Sequence, residues 1–319
     1  MKKFFSYIVF STLIVLLVPY TITMGMTGVK KDEPVAVIPY DGRVVIVESG
    51  GEVSQNLDYS QYLVGMVARN LVSFGDEIWD YPEFIKVNCV VANTLLTANF
   101  ADEDVISDDF LSEYYISDEE LLKLWGDNYS VRMDMIKNAL NETKGLVITY
   151  NGTPIKPFYH LISNGMTRTF TDGAQYPYLT SVNTNMDLEE KGFLSVKQYT
   201  DTDFINIINQ QFSDSGLDKN TTSLKENIQI INRDEAGYVT RIQVGNLSMS
   251  GDDFMNVFQI NSPSFTLTFQ DDSLKIITTG IGHGYGISLS HALYMAKQGT
   301  GYSDILLNFY ENVEIKNCE

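Results

Sequence analysis

Cysteine is scarce in this sequence, which has only Cys89 and Cys318, far apart along the chain. This scarcity excludes a small scaffold stapled by disulfides and any cysteine-rich zinc or iron–sulfur site. One buried thiol and one loose thiol near the C-terminus is the simplest interpretation.

Positively charged residues are also scarce, since 22 Lys and Arg face 41 Asp and Glu and the net charge is −19. Because binding a polyanion requires clustered Lys and Arg, we expect no nucleic-acid partner. Hydrophobic residues make up 44% of the chain and aromatic residues 12%, which is a globular composition.

Long hydrophobic runs are absent apart from one at the start of the chain. Residues 4–29 carry no charge and follow Lys2 and Lys3. Because about 20 apolar residues cross a bilayer, this run is long enough to span. A cleaved signal peptide would have a shorter apolar core and end in a small-x-small site; residues 21–27 offer Gly25 but no Ala-x-Ala. We therefore expect residues 1–29 to be an uncleaved single-pass signal anchor in the cell membrane, with residues 30–319 as an extracytoplasmic domain; cleavage near Gly25 is the alternative.

Helical and strand-like patterns alternate along the exported part without the rhythm of a parallel sheet. Helical spacing predicts helices, and alternation predicts strands. The predicted helices cover residues 58–71, 81–100, 118–125, 129–141, 287–298 and 303–310. The predicted strands cover residues 146–150 and 155–162, joined as a hairpin, then 227–231, 238–244, 264–269 and 274–279. The fold class is therefore α+β, with mixed helices and antiparallel strands behind one N-terminal transmembrane helix.

An acidic insert follows the second predicted helix, since residues 101–120 hold nine acidic residues and no Lys or Arg. A calcium-binding loop fits this insert poorly, because Ile106 and Ser107 occupy positions that need an oxygen ligand and a turn-making glycine. We therefore interpret the insert as a solvated acidic segment without a metal.

Four glycines surround one histidine in residues 279–286 (TGIGHGYG), just before a predicted helix. Glycines allow the backbone to approach a ligand closely or to adopt positive φ, which would give His283 a functional position. A tight turn with a packed histidine explains the same pattern equally well. The residues alone do not separate the two interpretations.

This run is one of several collinear blocks that resemble the stage II sporulation protein D family, which includes the amidase enhancer LytB. The run and the helices after it resemble the family's GHGxGMSQYGA signature with its following MAKxG. The other blocks lie at residues 62–71 with 82–94, 137–155, 158–165, 176–182 and 238–254. Together they span most of residues 35–315.

The resemblance implies a membrane-anchored, extracytoplasmic protein that acts on peptidoglycan glycan strands, in sporulation or related cell-wall remodelling. The best-known branch of the family consists of lytic transglycosylases, which work next to the stage II sporulation proteins P and M. Matching the family's blocks implies substrate-binding roles at Lys86, Asn93, Ser163, Asn164, Tyr178, His283, Tyr285 and Ser288. Family members that bind zinc use Cys and His in a region that has neither here, so we expect no metal and no cofactor.

The catalytic position departs from the family pattern, because Asn70 stands where the family has its catalytic Glu. An amide cannot donate a proton to a glycosidic oxygen at neutral pH and has no useful basicity. Activity is therefore uncertain, and the sequence is that of a pseudoenzyme unless another carboxyl group has replaced the lost one. The candidates are Glu77 and, beside it, Asp76, from a loop longer than the family's.

Three hypotheses follow. The leading one is a glycan-binding scaffold or modifier of a partner hydrolase. The second is an active lytic transglycosylase with a displaced carboxylate. The third is a structural partner that no longer binds sugar.

Overall fold

The computed structural model describes residues 44–49, 52–99, 105–170, 175–218 and 223–317. The predicted anchor at residues 1–29 and Cys318 lie outside these ranges. Within them, no helix is both long and apolar enough to cross a membrane.

The N-terminal half of the described chain is mainly helical. Strands β1 (Val44–Ser49) and β2 (Glu52–Asp58) precede α1 (Tyr59–Leu71) and α2 (Pro82–Asn99), with a short 3-10 turn at Asp76–Asp80 between the helices. Then follow β3 (Val105–Ser107), α3 (Asp108–Tyr114), α4 (Asp118–Trp125) and α5 (Tyr129–Glu142). Asp58 caps α1 by accepting a hydrogen bond from the Gln61 amide at 3.1 Å, as Asp does at helix starts.

The C-terminal half is rich in strands. Its first elements are β4 (Leu146–Tyr150), β5 (Thr153–Pro154), β6 (Tyr159–His160), β7 (Leu194–Thr200), α6 (Asp201–Gln211) and α7 (Leu224–Asn227). Next come β8 (Ile228–Arg233), β9 (Val239–Val244), β10 (Leu247–Met249), α8 (Gly251–Phe258), β11 (Phe265–Gln270) and β12 (Ser273–Thr279). The chain closes with β13 (Ile287–Ser288), α9 (Leu289–Lys297), α10 (Tyr302–Phe309) and β14 (Val313–Asn317).

The strands of the described residues form small sheets in the orders β2-β1-β3, β14-β4-β5, β13-β6, β11-β12-β7 and β10-β9-β8. Most pairs are antiparallel, while β1 with β3 and β6 with β13 are parallel. The predicted α+β class, with helices mixed among antiparallel strands, is therefore confirmed for this part of the chain.

Buried side chains form the core around α2 and in a second cluster under the strands. On α2 the residues from Val87 to Leu96 are all buried, including the free thiol of Cys89. In the second cluster, Phe204 stacks on Phe258 with ring centroids 4.5 Å apart, and Phe254 stacks on Phe265 at 4.8 Å. The second cluster is apolar, whereas the buried part of α2 also includes Asn88, Asn93 and Thr94.

The structure shortens one predicted strand and shows elements in two segments for which none was predicted. The expected strand at 155–162 shrinks to β6, and the other edge of β4 is covered by β14. Pro154 and Pro157 have no N–H to donate, which explains why a long return strand does not form. Residues 200–225, for which no element was predicted, contain helix α6. The described part of the acidic insert, residues 105–120, contains β3, α3 and the start of α4.

Candidate functional site

A cavity of 510 Å³ opens where α1, α3, the 156–161 segment and the glycine-rich loop at residues 280–286 meet. This volume lies within the range of small-molecule binding sites. The side chains that line it are mostly polar or aromatic. They are Arg69, Asn70, Ser73, Leu95, Glu113, Tyr114, Lys156, Pro157, Phe158, Tyr159, His160, Leu161, Gly282, His283 and Leu289.

Asn70 lies in the last turn of α1 and its side chain hydrogen-bonds the hydroxyl of Tyr159. Burial raises the pKa of the Tyr159 phenol, and the hydrogen bond from Asn70 offsets only part of that shift. Both groups are therefore neutral at physiological pH. They offer a ligand hydrogen bonds without charge.

Two neutral imidazoles, His160 and His283, lie side by side in the cavity wall, with ring centroids 5.8 Å apart. Burial, together with the neighbouring positive charges, lowers the pKa of His160 to about 3 and that of His283 to about 4. Both therefore stay uncharged at neutral pH, because desolvation disfavours the charged form.

Backbone groups of Tyr285 fix the protonation pattern of the two rings. The His160 Nδ1 lies 3.1 Å from the Tyr285 carbonyl oxygen, which can only accept, so Nδ1 carries the hydrogen. The Tyr285 amide donates to the His283 Nδ1 at 3.0 Å, so that ring carries its hydrogen on Nε2. The His160 Nε2 is thus an acceptor, and it is buried without a hydrogen-bond partner among the described residues.

Arg168 braces the glycine-rich loop from behind. Its guanidinium donates to the His283 carbonyl at 3.1 Å and forms a buried ion pair with Asp234 at 2.7 Å. It also lies over the Tyr285 ring at 4.3 Å and the Tyr238 ring at 5.0 Å. These contacts hold the loop so that His283 faces the cavity.

A buried carboxylate, Asp187, ties together the segments below the cavity. Its Oδ2 accepts hydrogen bonds from the Ser163 amide at 2.8 Å and the Ser288 hydroxyl at 2.6 Å. Burial raises the pKa of Asp187, although these hydrogen bonds favour its charged form. The Ser163 amide and the Ser288 hydroxyl therefore hold the Asp187 carboxylate in place.

No protein-family model matches the chain. Individual proteins do match it. It is 26% identical to stage II sporulation protein D of Bacillus subtilis (strain 168) over 290 residues, which cover 86% of the chain and 79% of that protein. It is 27% identical to stage II sporulation protein D of Bacillus amyloliquefaciens over 312 residues, 93% of the chain and 83% of that protein. The chain is a homologue of stage II sporulation protein D. The family resemblance drawn from the collinear blocks is thereby confirmed.

A third relative widens the range of organisms. It is an uncharacterized protein of Brachyspira hyodysenteriae, 22% identical over 302 residues, 91% of the chain and 73% of that protein.

The structure brings two of the family-derived site positions, Asn70 and His283, to the cavity wall. Tyr285 lies directly behind it, stacked on Arg168. Tyr178 is buried outside the wall, and its hydroxyl holds the Lys156 backbone through contacts of 3.1 Å to the amide and 3.2 Å to the carbonyl.

Three other family-derived positions lie away from the wall. Asn164 donates to the Ala236 carbonyl at 2.8 Å and to the Ser264 hydroxyl at 3.0 Å. Lys86 pairs with Glu83 at 2.9 Å and with Glu142 at 2.6 Å. Asn93 is buried with its amide 3.5 Å from the Thr143 carbonyl.

The proposed replacement acids also lie outside the wall of the cavity. Glu77 is exposed and lies 3.7 Å from Lys297. Asp76 pairs with Arg132 at 2.6 Å. The structure therefore brings neither carboxylate to Asn70.

Sequence reasoning missed Glu113, Tyr114, Lys156 and Tyr159 as cavity residues. No pattern in the sequence distinguishes Glu113 from the other eight acidic residues of the insert. Because α3 was not predicted, the position of Glu113 and Tyr114 at its end could not be foreseen either. Within the described ranges, no group of three or more His, Cys, Asp and Glu side chains is arranged to hold a metal ion.

Proposed function

We propose that the chain is a sporulation-related, membrane-anchored cell-wall protein that binds peptidoglycan glycan strands in the cavity beside Asn70. It acts as a scaffold for, or a modifier of, a partner hydrolase. Homology to proteins named stage II sporulation protein D supports the sporulation setting. The stage II sporulation proteins P and M are the partners that the resemblance implies.

The cavity chemistry supports a sugar ligand. A sugar ring presents hydroxyls at its rim and apolar C–H groups on its faces. Asn70, Tyr159 and the two neutral imidazoles supply donors and acceptors without charge, while Phe158 supplies an aromatic surface. Such a mixture of a few polar groups with aromatic walls is typical of small-molecule sites.

The single observation that carries the non-catalytic part of the proposal is the Asn70 side chain in the cavity wall, hydrogen-bonded to Tyr159. Glycan cleavage needs a carboxyl group that first protonates the leaving oxygen and then takes a proton back. An amide does neither. Asn70 preserves the shape and hydrogen bonding of the site while removing its proton transfer.

Sedimentation with insoluble peptidoglycan tests the binding. We expect the full chain to be retained and Asn70→Ala to reduce retention, because the variant loses a hydrogen-bonding group in the cavity. Asn138→Ala is the matched control, since Asn138 is an exposed amide on α5. Absence of wild-type retention at every salt concentration would favour a structural partner that no longer binds sugar.

A muropeptide digest tests the lack of cleavage. Incubating peptidoglycan with the purified full chain should release no anhydro-sugar products. Their appearance would instead identify an active lytic transglycosylase.

A further inference from the structure

We infer that the end of α3, within the acidic insert, forms the second wall of the glycan site, where Glu113 accepts hydrogen bonds from sugar hydroxyls and Tyr114 offers a stacking surface. The inference rests on the proposed glycan binding, and it names a part of the site that neither the family blocks nor the acidic composition indicates. It gives a binding role to a segment that the sequence predicts to be a solvated acidic surface.

The position of α3 supports this role. Glu113 and Tyr114, from the last turn of α3, line the same cavity as Asn70. The Tyr114 ring lies 6.4 Å from the Tyr159 ring, and Tyr159 in turn hydrogen-bonds Asn70. The two walls therefore meet at Tyr159.

The residues that follow α3, Tyr115 and Ile116, pack directly against α1. A Cβ atom added at Gly65 of α1 would lie 2.3 Å from the Tyr115 ring and 2.7 Å from the Ile116 carbonyl oxygen. Real Cβ atoms do not approach other atoms so closely, so the glycine allows the chain after α3 to lie directly on the helix. Ser107 caps the start of α3 by accepting from the Phe110 amide at 3.1 Å.

Glu113 brings a distinct chemistry to the cavity, because it is the one carboxylate among the residues that line it. A carboxylate only accepts hydrogen bonds, and its two oxygens suit a pair of neighbouring sugar hydroxyls. Bonds from hydroxyls to a charged acceptor are shorter and stronger than those between neutral groups. Glu113 also hydrogen-bonds the hydroxyl of Tyr114, which orients both side chains.

Isothermal titration of the full chain with soluble peptidoglycan glycan strands tests the inference. We expect Glu113→Gln, which keeps the shape and removes the charge, to weaken binding about tenfold. Glu119→Gln is the matched control, because Glu119 is exposed on α4 and pairs with Lys123 at 2.7 Å. The control should bind like the wild type, and all three proteins should melt at the same temperature.

The outcomes separate this inference from the proposed function. Strands that bind the wild type and Glu113→Gln equally would overturn the inference and leave glycan binding intact. A wild type that binds no strands would overturn both. If the wild type releases anhydro-sugars and Glu113→Gln does not, Glu113 belongs to the site and the scaffold proposal is wrong.

Discussion

Asn70 differs from a glutamate by one methylene and by its inability to exchange a proton, and the second difference determines what the cavity can do. The amide sits next to a neutral phenol and two neutral imidazoles. None of these groups has a pKa suited to acid–base catalysis near pH 7. The immediate surroundings of Asn70 therefore favour binding over chemistry.

Asn70→Glu should introduce cleavage that the wild type lacks. The new carboxyl group would lie beside Tyr159, at the position where the family resemblance places the catalytic acid. The measurement is release of anhydro-sugars from purified peptidoglycan. Asn70→Gln is the matched control, since it has the same length and no exchangeable carboxyl proton. Equal product from the Glu and Gln variants would contradict the prediction.

His160 should make the protein less stable in mild acid. Its folded-state pKa of about 3 lies below the ordinary value of 6.5. Between these two pH values the unfolded chain therefore binds a proton at His160 that the folded chain does not bind. The stabilising effect is complete above pH 6.5 and is lost progressively as the pH falls toward the folded-state pKa. Between pH 6.5 and 5 the loss is about 2 kcal/mol for this residue.

Urea unfolding at both pH values, in the wild type and in His160→Gln, measures this effect. The variant should lose less stability between pH 6.5 and 5 than the wild type does. Asp187 titrates in both proteins, so its contribution cancels in the comparison. Identical pH dependence would show that His160 is not held neutral.

At the scale of elements, the loop between β12 and β13 is the part of the site most constrained by its backbone. Gly286 has φ of +66°, and an added Cβ would lie 2.0 Å from the Phe158 carbonyl oxygen. The same loop carries His283 and accepts the hydrogen bond from Arg168. Gly286 therefore allows the loop both to turn and to lie close to the backbone of the 156–161 segment.

Gly286→Ala should destabilise the fold by about 3 kcal/mol or more, through positive φ and the clash with backbone. Gly299→Ala is the matched control. Its φ is also positive, at +85°, but nothing lies within 4 Å of its added Cβ. That variant should lose only about 1 kcal/mol. The free energies come from urea unfolding, and similar losses in both variants would show that the close approach to Phe158 is unimportant.

Local patterns in the sequence predicted most helices well, because caps and apolar spacing act within a few residues. The predicted helix at 118–125 coincides with α4, and 129–141 differs from α5 by one residue. Helix α6 was missed because Phe204, Ile205 and Ile208 are its only buried residues in an otherwise polar stretch. The hairpin was overestimated because Asn151 and Gly152 do form a turn, but Pro154 and Pro157 have no N–H with which to extend the return strand along β4.

The site was predictable only where it coincided with a family block. Asn70 and His283 lie in such blocks and line the cavity, whereas Glu113 and Tyr114 come from an insert that no block covers. Their approach to Asn70 depends on tertiary packing of α3 on α1, which spacing along the chain does not encode. For the same reason the sequence does not predict that Ser163 and Ser288 donate hydrogen bonds to a buried Asp187.

For the whole molecule, the net charge of −19 would oppose the approach to an anionic cell wall that the proposed function requires. Repulsion between like charges acts over about 30 Å at 0.01 M salt and about 10 Å at 0.1 M. Arg69 and Lys156 are the cations that line the cavity. Their attraction to an anionic surface has the same range as the repulsion, but the net charge of −19 outweighs two cations at a distance.

Retention by peptidoglycan should therefore increase as salt rises from 0.01 to 0.1 M, because screening removes the repulsion before it weakens the short hydrogen bonds of the cavity. Sedimentation across this range measures it, with an uncharged chitin matrix as the control, whose retention should change little. A decrease with salt on peptidoglycan would show that attraction by the cavity cations dominates.

The hydrogen bonds around the cavity also determine when it can exist during synthesis. The His160 imidazole meets the Tyr285 carbonyl across 125 positions of sequence, Ser288 meets Asp187 across 101, and the Tyr310 hydroxyl meets the Phe158 carbonyl across 152. Contacts this distant form after local helices, because the intervening chain must first be ordered. Helix α1 can thus present Asn70 early, but a chain that stops before residue 282 lacks the part of the cavity wall that Gly282, His283 and Leu289 supply. Premature termination at such a point would leave the proposed glycan site incomplete, even though most of the helices that surround it had already been made.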